Sequence, residues 1–125
     1  MIKSLLLVGL GGGLGSILRW LCQKWVYQIH PHPFPWGTFL VNISGCFLIG
    51  ILYAVAEKTN VLSPDWRLFF TAGICGGFTT FSTFAFENMM LLKTGDFTYF
   101  MIYTILSIVL GIAAVFGAIA LIKLL

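Results

Sequence analysis

Hydrophobic positions fall into four long runs that short polar segments separate. The runs cover about residues 4–26, 38–55, 67–92 and 98–122. A helix needs roughly 20 predominantly apolar residues to cross the hydrocarbon core of a bilayer, and each run is close to that length. The pattern predicts an all-α integral membrane protein, with four transmembrane helices in a single domain over residues 1–125.

The composition agrees with a membrane protein. Hydrophobic residues make up 59% of the 125 and charged residues only 9%, whereas soluble domains carry about 25% charged residues. Four crossings use most of the chain, so the function is expected inside the bilayer. The first run is too long for a signal peptide, contains Arg19 and lacks a small-residue cleavage site, so we interpret it as a retained helix.

Charge gives little information about orientation. The net charge is +3, but no basic run indicates a nucleic-acid partner. With the N-terminus inside, four basic residues would lie on the inner side and three on the outer side or its margin, and such a bias sets orientation only weakly. The two sets are Lys3, Lys58, Arg67 and Lys123, and Arg19, Lys24 and Lys93. A chain that inserts both ways can pair with an inverted copy of itself.

Small residues recur at four-residue spacing in the first, third and fourth runs, and such faces let helices approach closely in lipid. The pairs are Gly9 and Gly13, Gly11 and Gly15, Gly73 and Gly77, Ser107 and Gly111, and Ala113 and Gly117. A bundle packed this tightly leaves little room for a lumen, so a pathway is expected partly between subunits. Alternatively, these faces only hold one bundle together.

The third run contains a segment that is a poor helix interior. Gly76 and Gly77 are followed by a hydroxyl-rich stretch that reaches Thr83, and both features disfavour a continuous helix. A break is predicted here. Broken helices in membranes need partners for the freed backbone groups, and unwound carbonyls are ligands for Na⁺. The alternative is a bent helix whose carbonyls accept bonds from Ser and Thr hydroxyls.

Beyond the break, Thr80, Thr83 and Glu87 fall on one stripe of a helix. Phe81 and Phe84 lie on an adjoining face. An aromatic ring has a positive edge, so these two rings could contact a desolvated anion. Alternatively, two of the twelve phenylalanines simply face lipid or core.

Other polar residues in the runs are candidates for the same pathway. The Asn42 amide can donate two hydrogen bonds to an anion or bridge two helices. Tyr103 and Ser107 stand four residues apart and present hydroxyls on one face. Ionisable residues inside a membrane are functional candidates. Arg19 could attract anions or pair structurally. Glu87 could pair with Arg or Lys or be protonated.

Histidine, cysteine and serine do not indicate catalysis. His30 and His32 lie on a Pro-rich loop, where we expect them to point opposite ways, so no metal site is expected. Three cysteines, Cys22, Cys46 and Cys75, show no CxxC spacing and are expected to be free. Ser44 has no His or Asp partner at its depth, so an enzyme is the least supported class.

Four motifs resemble those of the Fluc family of fluoride channels, also called CrcB proteins, from about Gly11 to Gly111. In order they are Gly12-x-x-Gly15-Ser16-x-x-Arg19, Gly37-Thr38 with Asn42 and Gly45, the Gly-Gly-x-Thr-Thr-Phe-Ser-Thr-Phe run from Gly76 to Phe84, and Glu87. The run in the third span is the most specific of the four.

This resemblance implies a dual-topology, antiparallel homodimer in the bacterial inner membrane that exports F⁻ passively and protects the cell from fluoride. Backbone carbonyls of Gly76 and Thr79 would hold a structural Na⁺ at the dimer interface. Fluoride, an inverted copy and membrane lipid would be the partners. The pore residues it implies are Asn42, Phe81, Phe84, Ser82, Thr83, Tyr103 and Ser107, and the match is weakest in the fourth span.

Two other classes compete with the channel. A small proton-coupled multidrug exporter is also short and four-helical, but that class needs a carboxylate in its first span, and this first span has none. A non-transporting membrane scaffold would explain the glycine-rich faces but has no need for the stripe of Thr80, Thr83 and Glu87.

Overall fold

The computed structural model describes all 125 residues, and every regular element is helical. Four helices are long and apolar enough to cross a membrane, which confirms the predicted all-α membrane class. The first, second and fourth spans are α1, α2 and α6, and the third span, Pro64–Lys93, contains four shorter elements. The elements are α1 (Ile2–Ile29), α2 (Trp36–Lys58), α3 (Pro64–Leu68), a π-helical segment π1 (Phe69–Cys75), α4 (Gly76–Phe78), α5 (Phe81–Lys93) and α6 (Phe97–Leu124).

Local sequence signals explain where the helices begin and end. Three prolines alternate through the loop after α1, and α2 begins directly after the last of them, Pro35. Ser63 caps α3, since its hydroxyl accepts a hydrogen bond from the Trp66 N–H at 3.4 Å, and Pro64 occupies the first helical position. Gly95 adopts a positive φ of 83° in the turn between α5 and α6.

The third span is broken, as its sequence predicts. The helix widens to π geometry over Phe69–Cys75, and after one turn of α4 the backbone leaves the helical region. Thr79 has φ −83° and ψ 156°, and Thr80 has φ −149° and ψ 114°, so both are extended. These two residues form a gap in the hydrogen-bond ladder, which α5 resumes at Phe81.

Close backbone contact joins α1 to the first half of the third span. Gly11 and Gly15 are buried in α1, and a Cβ on Gly11 would lie 2.6 Å from the Phe69 carbonyl oxygen and 2.9 Å from the Gly73 Cα. These contacts confirm one predicted small-residue face. The interpretation of Gly9 and Gly13 as a packing face is wrong for the single chain, because a Cβ at either would meet nothing within 4 Å.

Little of the chain is buried within one subunit. Only 17 of 125 residues are buried, and a small aromatic cluster forms the main core at the end of the bundle that carries the Pro-rich loop. Its members are Phe34, Phe39, Leu91 and Tyr103. Most large apolar side chains point outward, as expected for a protein that lipid or a partner chain surrounds.

Gly11→Ala should destabilise the fold, because the added methyl group would overlap the backbone of the third span. Overpacking of this kind lowers the free energy of unfolding by about 1–3 kcal/mol. Gly13→Ala is the matched control, since the space around Gly13 is open. The measurement is thermal stability in detergent, followed by size-exclusion chromatography. Equal stability of the two variants would contradict the close contact.

Candidate ion pathway

A side chain from α2 binds both backbone groups of Thr80 in the break. The Oδ1 atom of Asn42 accepts a hydrogen bond from the Thr80 N–H at 2.8 Å, and its Nδ2 atom donates to the Thr80 carbonyl at 3.1 Å. Asn42 therefore bridges two spans, which is one of the two roles expected from sequence. One Nδ2 proton remains for another acceptor.

Two side chains from α1 bind a further carbonyl next to the break. The Nε atom of Arg19 donates to the Gly77 carbonyl at 3.1 Å, and the Ser16 hydroxyl approaches the same oxygen at 3.5 Å. The Gly77 carbonyl would otherwise lack a partner next to the break. Arg19 thus has a structural contact, and the guanidinium has four further N–H groups.

Two other carbonyls of the break lose their helical partners. The Thr80 N–H, which would continue the ladder to the Gly76 carbonyl, donates to Asn42 instead, and the Thr79 carbonyl accepts no hydrogen bond. Freed backbone oxygens of this kind suit a hard cation such as Na⁺. The donor set that the family resemblance implies, Gly76 and Thr79, therefore fits the ion chemically. Two carbonyl oxygens from one chain are too few to surround a Na⁺ ion, so its other ligands would come from water or from a second chain.

A cavity of about 400 Å³ lies beside the break and opens to the surface. We call it the central cavity. It brings together residues that the sequence places far apart, namely Asn42, Gly76, Thr79, Thr80, Phe81, Phe84 and Ser107. The Ser107 oxygen is buried and has no hydrogen-bond partner, which makes it a free polar group in an apolar setting.

The two phenylalanines lie at this cavity, but their settings differ. Their ring centroids are 5.8 Å apart. Phe81 is 79% exposed on the subunit surface, whereas Phe84 packs edge-on against Tyr103 with a centroid distance of 4.9 Å. Phe84 therefore has a fixed position within one chain, and the surroundings of Phe81 must come from lipid or another chain.

A short track of hydroxyls leads from the central cavity toward α5. The Thr80 hydroxyl caps α5, since it accepts from the Thr83 N–H at 3.2 Å, and it donates to the Thr83 hydroxyl at 3.0 Å. The Ser82 hydroxyl lies 3.5 Å from the Thr80 hydroxyl. Thr80 precedes the helix instead of belonging to the helical stripe predicted from sequence, but it still contacts Thr83.

The track continues to a second cavity of about 240 Å³, which Thr83 and Glu87 line together with Thr38 and Gln23. The Glu87 carboxylate accepts two hydrogen bonds here, from the Thr38 hydroxyl at 3.1 Å and from the Tyr103 hydroxyl at 3.0 Å. It makes no ion pair, so the single chain does not supply the cation partner that is one of the two alternatives expected from sequence. Tyr103 is fully buried, so its hydroxyl orients Glu87.

Sequence reasoning missed Gln23 and the contact that Thr38 makes. The Gln23 amide donates to the Thr38 hydroxyl at 3.0 Å, and that hydroxyl donates onward to Glu87. The available signal was an amide within an apolar run, because a polar group at that depth requires a partner. The sequence does not show which partner it has.

The expected directions of the two histidines are wrong. The rings of His30 and His32 stack with a centroid distance of 5.3 Å and an interplanar angle of 8°, because residues two apart in an extended segment share a face. His32 Nδ1 accepts a hydrogen bond from the Phe34 N–H at 3.0 Å. The three cysteines are free, and Cys46 and Cys75 line the central cavity.

Known proteins resemble this chain over nearly its full length. A channel described as "Fluoride-specific ion channel FluC" from Phocaeicola vulgatus is 52% identical over 114 residues, which are 91% of this chain and 93% of that protein. A protein of the same description from Leptospira interrogans is 44% identical over 121 residues, covering 97% and 95% of the two chains. One from Bacteroides fragilis is 49% identical over 117 residues, covering 91% of each.

The sequence model of the family described as "CrcB-like protein, Camphor Resistance (CrcB)" matches residues 6–119. This match includes the second and third spans, most of the first and fourth, and every residue of the candidate pathway. Together with the relatives above, it confirms the resemblance found in the motifs. The chain belongs to the CrcB-like protein family.

Proposed function

We propose that this multi-pass membrane protein is a fluoride-selective ion channel that lets F⁻ leave the cell passively and so protects it from fluoride. One observation carries the proposal: the break in the third span places hydroxyls, an amide and two phenyl rings around one cavity inside the bilayer. Relatives that are 44–52% identical are named fluoride-specific ion channels. The protein is a channel and not an enzyme.

The central cavity offers fluoride replacements for its hydration shell. The Ser107 hydroxyl is buried without a partner, and an unsatisfied buried donor costs about 1–3 kcal/mol, which an anion that accepts its hydrogen would recover. Asn42 retains one N–H, and the edges of Phe81 and Phe84 carry partial positive charge. None of these groups is a full cation, so binding stays weak enough for release.

The hydroxyl track offers the next set of contacts. Thr80 lines the central cavity and bonds to Thr83, which lines the cavity that contains Glu87. The hydroxyl groups of Ser82 and Thr83 can turn their hydrogens toward a passing anion. The Glu87 carboxylate is negative when ionised and would repel the ion. The bonds from Thr38 and Tyr103 hold both of its oxygens, which keeps them from turning freely toward the pathway.

Arg19 is proposed to attract anions toward the break. Its Nε atom is bound to the Gly77 carbonyl, which fixes the direction of the guanidinium. A positive group beside a narrow route raises the local concentration of anions. It does not trap them, since it lies outside the central cavity.

The working unit is proposed to be an antiparallel homodimer with a shared Na⁺. Phe81 is 79% exposed, the central cavity is open on that side, and the Thr79 carbonyl lacks a partner. An inverted copy would cover the rings and bring a second pair of Gly76 and Thr79 carbonyls, which together suit one Na⁺. Membrane lipid would surround the remaining apolar surface.

Replacement of Na⁺ by a bulky organic cation should slow fluoride efflux, because the carbonyls of the break would then face each other without a charge between them. The measurement is efflux from liposomes prepared without Na⁺, with Na⁺ restored in a parallel sample. Equal rates in the two samples would contradict a structural role of Na⁺ at the break.

The channel proposal predicts that purified protein releases fluoride from loaded liposomes down its gradient and that chloride does not replace it. The physical reason is the small set of close donors, which fits a small anion better than a large one. Fluoride and chloride electrodes measure the two rates under matched gradients. Absence of fluoride release, or release of both ions at one rate, would refute a fluoride-selective channel.

The ring-edge mechanism predicts that Phe81→Ile and Phe84→Ile each lower fluoride efflux by roughly tenfold or more, since about 1.4 kcal/mol of lost stabilisation changes a rate tenfold. Isoleucine keeps the apolar character but has no positive edge. Phe86→Ile is the matched control, because Phe86 is exposed on α5 and does not line the cavity. If both test variants conducted like the parent, the mechanism would be wrong even with the channel correct.

A further inference from the structure

A third cavity, of about 290 Å³, lies at the end of the bundle where α3 begins, opposite the end that carries His30 and Glu87. We call it the Arg67 cavity. Five residues line it: Leu62, Pro64, Arg67, Leu68 and Thr71. Of these, Thr71 also lines the central cavity. The two cavities therefore share a wall on the π-helical segment.

The charge around this cavity is positive. Asp65 is the nearest carboxylate in sequence, and it is paired with Lys3 at 2.6 Å. Lys58 points away, because its Nζ atom donates to the Ile122 carbonyl at 3.1 Å. Arg67 is the one charged residue that lines the cavity, and it makes no ion pair.

Arg67 is also held in place. Its guanidinium carbon lies 5.2 Å from the centre of the Tyr53 ring, which is a cation–π distance. The other charges at this end, Glu57 and Lys123, neither line the cavity nor pair with Arg67. An anion that enters the cavity therefore meets a positioned cation.

Thr71 connects this charge to the break. Its hydroxyl donates to the Arg67 carbonyl at 2.8 Å, which holds the hydroxyl against its own helix. It stands in π1, the widened turn of the third span. Widened turns of this kind often occur at functional sites.

We propose that the Arg67 cavity is a second anion entrance of the channel. Arg67 is the attracting charge, and Thr71 lines the constriction that leads to the central cavity. The inference rests on the proposed channel function. The proposal gives a function to the part of the third span before the break. Neither the sequence motifs nor the hydroxyl track includes that part. The ligand is a small inorganic anion, and fluoride is the probe.

The test compares fluoride efflux of Arg67→Gln and the parent at fluoride concentrations well below saturation, where the arrival of the ion limits the rate. A unit charge near an anion in water contributes enough to change the local concentration roughly threefold at low ionic strength. Arg67→Gln should therefore conduct about threefold more slowly than the parent in about 10 mM salt, where screening extends over about 30 Å. Arg67→Lys should restore most of the rate.

The salt dependence separates this role from a structural one. In about 1 M of an impermeant salt the Debye length is about 3 Å, so the parent loses its advantage and the two rates should converge. A deficit that persists at high salt would instead indicate damaged packing and would overturn the proposal.

Lys58→Gln is the matched control, because it removes the same charge at the same end of the bundle without touching the cavity. It should conduct like the parent at both salt concentrations. Thr71→Leu, which fills the shared wall, should lower the rate at both concentrations, and Thr71→Ser should not. If the parent conducts fluoride and Arg67→Gln equals it at low salt, this inference fails alone; if the parent does not conduct, the channel proposal fails with it.

Discussion

A backbone polar group inside a bilayer cannot bond to water, and this constraint governs the structure around Thr79 and Thr80. The gap in the third span leaves N–H and carbonyl groups without their helical partners. Asn42 binds both groups of Thr80, and Arg19 with Ser16 binds the Gly77 carbonyl. Without these contacts the gap would cost several kcal/mol, and a continuous helix would form instead.

The rest of the pathway follows from the position of the gap. Arg19 and Ser16 reach Gly77 only because α1 lies directly against the third span, and that approach depends on glycines on both sides. The extended residues turn Phe81, Phe84 and the Thr80 hydroxyl toward one cavity, and they expose the Thr79 carbonyl. A single interruption thus supplies anion contacts on one side and free oxygens on the other.

The sequence predicts the parts of this structure that depend on local chemistry. Long apolar runs identify the four spans, and the Gly76-Gly77 pair with its hydroxyl-rich continuation identifies the break. The partners of the break are harder to predict, because Asn42 and Thr80 are 38 residues apart and Arg19 and Gly77 are 58 apart. Their polar side chains indicate that they need partners, but only the packing of the helices determines which ones.

Other features depend on tertiary packing even more strongly. The π-helical turn over Phe69–Cys75 has no clear local signal, since its residues would also suit an α-helix. The network of Gln23, Thr38 and Glu87 joins three spans, and hydropathy does not encode it. Glycine spacing likewise predicts several packing faces, of which Gly11 and Gly15 contact the third span and Gly9 and Gly13 do not.

The most direct test of the break is the backbone conformation of Thr79 and Thr80 in a lipid bilayer. Solid-state NMR of labelled protein gives the Cα and Cβ chemical shifts of both residues, which distinguish extended from helical backbone. A broken third span gives extended-type shifts at both positions, flanked by helical shifts at Phe78 and Phe81. Helical shifts at Thr79 and Thr80 would show an unbroken third helix and would contradict the account.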